Sequence, residues 1–128
     1  MQFFIHYFSH LGLPFFIAYF FFRSEWKKAY LIMLATMLVD LDHLLANPIF
    51  QENRCSVGFH YFHSIYAIVV YIGMLFLKKP YRIVGIGLVL HMITDFVDCL
   101  IMFEKCQLCY ENAPAWWALD SVGKLLGW

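Results

Sequence analysis

Four long apolar runs, separated by short polar breaks, dominate the chain. They extend from Phe3 to Phe22, Ala29 to Ala46, Tyr61 to Leu77 and Ile83 to Phe103. A helix needs about 20 apolar residues to cross the hydrocarbon of a bilayer. The pattern therefore predicts an all-α polytopic membrane protein, a four-transmembrane-helix bundle in a single integral membrane domain. Pro14 falls inside the first run, where a membrane helix tolerates a kink. Arg23 to Lys28 and Lys78 to Arg82 form two short polar turns. Asn47-Pro48 stops the second helix, and a loop from Ile49 to Phe59 follows, carrying Gln51, Glu52, Asn53, Arg54 and Gly58. The tail from Glu104 to Trp128 contains Trp116, Trp117 and Trp128, which suit a short segment at the headgroup level.

Composition strengthens the membrane reading. Hydrophobic residues make up 62% of the 128 positions and charged residues 14%, more apolar surface than a soluble domain of this size can bury. The formal net charge of zero gives no broad basic face for nucleic acid. The N-terminus has neither a basic region nor a small-residue cleavage site, so the first run reads as a retained helix rather than a cleaved signal. Arg23, Lys27, Lys28, Lys78, Lys79 and Arg82 lie in the two short turns, against Arg54, Lys105 and Lys124 elsewhere. The positive-inside bias then turns both breaks to the cytoplasm of a bacterial inner or plasma membrane, with both termini extracytoplasmic.

The polar residues within the runs carry the chemistry. Ionisable groups in a span are costly and usually mark function or a paired interior site. With alternating helix direction, His6 and His10 fall in the same half of the bundle as Asp40, Asp42 and His43. His60, His63, His91, Asp95 and Asp98 fall there too. Most are paired three or four residues apart, the spacing that shares a helix face. Bundle cores build metal sites from such pairs on facing helices. The expected ligands are Asp42, His43, His63, His91 and Asp95. His6 or His10 completes the shell, His60 is a further candidate, and Asp40 or Asp98 serves as general base or orienting group. Imidazole and carboxylate suit a divalent metal, zinc first, with manganese or iron left open and room for two ions. A lone membrane histidine is more often a packing hydrogen bonder; six at one level are not.

Val-Asp-Leu-Asp-His-Leu at 39 to 44 resembles the Pro-Asp-(Ile/Leu)-Asp-His signature of the YdjM-like membrane-bound metal-dependent hydrolases. Phe-His-Tyr-Phe-His-Ser at 59 to 64 resembles that family's His-rich segment, and His91 to Asp95 its His-x-x-x-Asp helix. Val39 replaces the usual proline, and the Arg-Gly pair of the His-rich segment is absent. The order of motifs is closer still to a small uncharacterised bacterial group of four-helix membrane proteins. The resemblance implies a metal-dependent hydrolase, and the depth of the polar level suits a lipid or lipid-linked phosphoester near the outer leaflet. Two other classes stay open: a non-enzymatic metal-binding or structural membrane protein, and a di-iron membrane oxidoreductase. Cys55, Cys99, Cys106 and Cys109 share the outer side, where disulfides Cys55–Cys99 and Cys106–Cys109, a zinc site or plain thiols are the alternatives.

Overall fold

The computed structural model describes residues 2–49 and 54–128; Gln51, Glu52 and Asn53 of the expected loop lie outside the described residues. The described residues are helical, with no strand among them. Helix α1 spans Gln2–Phe21 and α2 spans Trp26–Ala35, continuing as a 3₁₀ segment over Thr36–Leu45. A 3₁₀ turn at Tyr61–His63 leads into α3, Ile65–Met74. Helix α4 covers Tyr81–Lys105, and after a 3₁₀ turn at Gln107–Tyr110 the chain ends in α5, Trp116–Leu126.

Each predicted run contains a helix, but the lengths differ from expectation. Among the described residues, α1 and α4 are the helices that are by themselves long and apolar enough to cross a membrane. At 1.5 Å per residue, α2 and α3, ten residues each, rise only about 15 Å. The second run tightens into 3₁₀ geometry at Thr36, whose hydroxyl donates back to the Met33 carbonyl at 2.6 Å. Such back-bonding draws a side chain into the helix ladder and disturbs it. A 3₁₀ run of ten residues is unusually long and commonly marks a functional segment. Its three-residue period stacks Asp40 over His43 on one edge, and Thr36 and Asp42 on a buried one. The third run is shortened because His60 to His63 form a turn rather than the start of the helix.

Helix α4 is the central post, in contact with α1, α2, α3 and α5. Its buried residues include Ile83, Gly87, His91 and Asp95, spaced four apart along one face. Helix α1 touches the bundle along a narrower stripe, His10, Pro14 and Ala18, which Phe22 just past its end continues at the same spacing. Most of the rest of α1 is apolar and exposed: Phe4 is 76% exposed and Phe21 80%. A helix that is hydrophobic all round while burying one stripe has no place for its other faces in water. Helix α5 is amphipathic. Leu119 packs with Phe103, Tyr110 and the Cys55–Cys99 pair, while Trp117 and Leu125 face outward.

Gly85 and Gly87 set how closely α4 approaches its neighbours. A Cβ on Gly87 would lie 2.8 Å from Thr36 Oγ1 and 3.1 Å from the Met33 Cα; on Gly85 it would lie 2.8 Å from the Met74 Cβ. At Gly73, by contrast, no heavy atom lies within 4 Å of that position. Backbone cannot yield as a side-chain tip can, so Gly87→Ala is expected to cost about 1–3 kcal/mol, the usual overpacking range. Gly73→Ala should be neutral or stabilising by up to about 1 kcal/mol through helix propensity. Unfolding of the two variants in detergent checks this, and equal midpoints would remove the packing role.

The two basic turns meet at one end of the molecule. Lys79 pairs with Glu25, and its ammonium sits 5.2 Å from the centre of the Phe22 ring. The hydrogen bond from Lys79 and its charge hold the Glu25 carboxyl below its ordinary 4.5, with Lys28 adding to the effect. Because the folded value is the lower one, the pair contributes above about pH 4.5 and loses its contribution as pH falls below it. The pair is exposed, so the effect is small. Unfolding of Glu25→Gln and of the parent protein should differ slightly at pH 7, with the difference shrinking as pH falls below 4.5.

Candidate metal centre

At the opposite end from the basic turns, four segments bring their polar residues together. Helix α1 supplies His6 and His10, the 3₁₀ segment Asp40, Asp42 and His43, the turn before α3 His60 and His63, and α4 His91, Asp95 and Asp98. The six imidazoles form a continuous array. Neighbouring ring centres are 4.4 Å apart for His6–His10, 4.5 Å for His10–His91 and 5.4 Å for His91–His63. They are 5.1 Å apart for His63–His43 and 3.9 Å for the stacked His43–His60 pair.

The centre of the array is a knot of donor atoms. His63 Nε2 lies 3.0 Å from Asp95 Oδ2, 3.3 Å from His91 Nε2 and 3.4 Å from Asp40 Oδ1. His91 Nε2 lies 3.0 Å from Asp40 Oδ1 and 3.6 Å from Asp95 Oδ2. An imidazole nitrogen carries at most one proton and donates one hydrogen bond. His63 Nε2 has three close neighbours, Asp95 Oδ2, Asp40 Oδ1 and His91 Nε2, and can donate to only one of them. Asp95 Oδ2 is buried and has no hydrogen bond of acceptable geometry, and His43 Nε2 and Asp42 Oδ1 are in the same condition. A cation answers the convergence that protons cannot. Four ligands held about 2.0–2.1 Å from one ion in a tetrahedron stand about 3.3–3.4 Å from each other. The five distances above bracket that value. The residues present thus fit a bound metal ion, and the buried His/Asp cluster can hold one.

The two aspartates of Asp-Leu-Asp-His take different places from those expected. Asp40, expected as base or orienter, directs Oδ1 into the knot. Asp42, expected as a ligand, directs Oδ2 to the other ring nitrogen of His63 at 3.2 Å and accepts the Phe62 backbone N–H at 2.7 Å. A carboxylate behind the histidine fixes the tautomer so that Nε2 presents its lone pair. The Tyr71 hydroxyl donates to the Phe62 carbonyl at 2.9 Å and steadies the same turn. His43 stands at the edge, with Nε2 3.5 Å from Asp40 Oδ1 and 4.0 Å from Asp42 Oδ1. One grouping of mutually close ligand atoms is Asp40, His43, His63 and Asp95, with His43 in the place of His91; a second joins Asp42, His43 and His60. Burial, and then the nearby His43, push the His60 imidazole down to about 4, so it is neutral at pH 7. A third grouping joins His6, His10 and Asp95. His10 Nε2 lies 3.1 Å from Asp95 Oδ1, and His6 Nδ1 lies 3.7 Å from Asp98 Oδ2.

A cavity of about 350 Å³ opens beside the cluster, lined by His6, Asp40, His43, Arg54, Ser56, Asp95 and Asp98. Arg54 and Ser56 belong to no ligand pattern in the sequence, and only the fold brings them to this wall. Both flank Cys55, whose disulfide to Cys99 holds this stretch against α4. The Arg54 guanidinium donates to the carbonyls of Pro48 and Ile49 and packs 5.0 Å from the centre of the Phe59 ring. The second disulfide, Cys106–Cys109, closes the turn before α5, so neither a four-cysteine zinc site nor plain thiols describe the structure.

A family model matches residues 1–102. The chain belongs to DUF6122, a family of unknown function. The matched DUF6122 region carries all six histidines and the Cys55–Cys99 pair, and stops short of α5. Neither curated proteins nor solved structures give a match. Membership in DUF6122 assigns no reaction, so any chemistry has to be argued from the centre itself.

Proposed function

We propose that this DUF6122 protein is a membrane-embedded metal-dependent hydrolase that takes a lipid or lipid-linked phosphoester near the outer leaflet. One observation carries the reading: His63, His91, Asp40 and Asp95 converge at ligand-to-ligand distances of 3.0–3.6 Å. Two histidines with two carboxylates suit zinc before softer or harder ions. The YdjM-like motif order points to the same chemistry, with Asp40 rather than Asp42 as the ligand of Asp-Leu-Asp-His.

The bare apolar surface of α1 supports the bilayer setting. The third run completes four crossings when the turns flanking the ten residues of α3 are counted with it. The second run is long enough to cross when it is counted whole. Ten α-helical residues and ten 3₁₀ residues rise about 35 Å together, enough for the hydrocarbon. The basic turns then lie at the cytoplasmic end, and the cluster and both termini at the other.

A metal ion bound here lowers the pKa of a coordinated water to about 7 and polarises the bond to be cleaved. The side chains set the conditions for that. Asp42 holds the His63 tautomer, and the rings of His10 and His91 exclude water from the inner side. Arg54 stands in the same cavity, its guanidinium oriented by two carbonyls, where it can meet a phosphate oxygen. Asp98, on the cavity wall, is placed to take a proton from water.

A second reading has its own support. Four protein ligands fill a tetrahedral shell, which is the pattern of structural rather than catalytic zinc. That favours a non-enzymatic metal-binding module. Elemental analysis of detergent-purified protein, followed by assay on phosphoester-containing vesicles with and without chelator, separates the readings. Zinc with chelator-sensitive phosphate release is expected. Zinc without turnover favours the module, and iron with an optical band favours oxygen chemistry. Protein that binds no metal ends all three.

A further inference from the structure

We propose that the centre is dinuclear: a second divalent ion binds between His6, His10 and Asp95, and the Asp95 carboxylate bridges the two. This rests on the metal reading above and adds the position of an open coordination site. Asp95 is the pivot. Its Oδ2 faces His63 at 3.0 Å and His91 at 3.6 Å, while its Oδ1 faces His10 at 3.1 Å. One carboxylate thus addresses three imidazoles through two different oxygens, from a side chain only 5% exposed. A buried carboxylate with both oxygens directed at separate histidine sets is the bridging element of a two-metal site, whose ions stand about 3.5–4 Å apart.

The second set has its own unsatisfied atom. His6 Nδ1 is buried and has no hydrogen bond. Its approach to Asp98 Oδ2, 3.7 Å, is too long for one. The His6 and His10 ring centres are 4.4 Å apart on successive turns of α1, and ligand atoms of His6, His10 and Asp95 lie within 4.8 Å of each other. The alternative grouping of Asp42, His43 and His60 also holds unsatisfied atoms, Asp42 Oδ1 and His43 Nε2, 4.0 Å apart. But Asp42 meets His63 through Nδ1, the ring nitrogen turned away from the first position, so it does not bridge to that position.

The two positions differ in kind. His63, His91, Asp40 and Asp95 make a closed shell of four. His6, His10 and Asp95 supply three protein ligands, and the fourth direction is left to water or substrate, as in catalytic zinc sites. His6, Asp95 and Asp98 all line the cavity that holds Arg54. The second ion is therefore the one a phosphate group would meet, and the first holds the bridge in place. This resolves the objection that a filled shell leaves no room for chemistry.

The test is ion stoichiometry by elemental analysis of detergent-purified full-length protein. The parent protein, His6→Gln and His10→Gln are loaded with zinc alone and freed of excess by gel filtration. Two ions per chain in the parent and one in each variant are expected. One ion in all three overturns the second site and leaves the first intact. Two in all three places the second ion elsewhere and equally overturns it. None in the parent overturns the metal reading itself. Should the variants not fold, the manganese-loaded parent gives an independent answer by electron paramagnetic resonance. A spin-coupled pair is expected, and uncoupled manganese at two ions per chain overturns the bridge.

Discussion

Asp95→Ala is expected to abolish metal binding, with bound zinc falling to background while the protein still inserts and stays helical. Asp95 faces three imidazoles through two different oxygens: His10 at one, His63 and His91 at the other. Asp42→Asn should behave differently. Asp42 sits behind His63, and loss of such an orienting carboxylate typically weakens metal affinity about 10- to 100-fold without eliminating it. Asp40→Asn should resemble Asp95→Ala more than Asp42→Asn, because Asp40 Oδ1 is in the knot. Titration with a competing chelator ranks the three. If Asp42→Asn proves the most damaging, the assignment of Asp40 as ligand is wrong. Stability supplies a second readout. An ion that binds only the folded chain stabilises it by about 2.7 kcal/mol at a hundredfold excess over its dissociation constant. Chelator should thus lower the unfolding midpoint of the parent protein and leave that of Asp95→Ala unmoved.

The sequence exposed the cluster because spacing and alternation suffice to find it. His6 with His10 and His91 with Asp95 are four apart on true α-helices, where that spacing shares a face. What it could not show was the 3₁₀ winding of Thr36–Leu45. That winding begins at Thr36, which bonds back to Met33 and lies against Gly87, and neither feature is a periodicity. The exchange of roles between Asp40 and Asp42 follows from it. Likewise His60 and His63 looked like the first turn of a helix, yet Ser64 caps α3 by accepting from the Ala67 N–H, so both histidines precede it. The apolar runs showed where helices would lie but not that α2 and α3 would each stop after ten residues. Arg54 was visible as a residue, though its place beside the cluster depends on a disulfide that the sequence left among several alternatives.

That disulfide carries the second large effect. Converting Cys55 and Cys99 together to alanine is expected to lower unfolding stability by about 2–4 kcal/mol. The bond joins residues 44 apart, and a crosslink stabilises mainly by restricting the unfolded chain, more so for longer loops. Alanine rather than serine avoids leaving hydroxyls in a site where the two residues are 3% and 1% exposed. Cys106 and Cys109 are only three apart, so their removal should cost much less by the same logic. Reductant should reproduce the larger effect in the parent protein and have almost none in the Cys55/Cys99 double variant. Equal losses from both pairs would show that loop closure is not the cause. Metal binding should also respond to the first pair alone. Cys55 fixes the stretch that carries Arg54 and Ser56 to the wall of the cavity, and His60 and His63 follow it within eight residues. A weaker zinc affinity in the Cys55/Cys99 variant, with the Cys106/Cys109 variant unchanged, would tie this covalent link to the alignment of the centre.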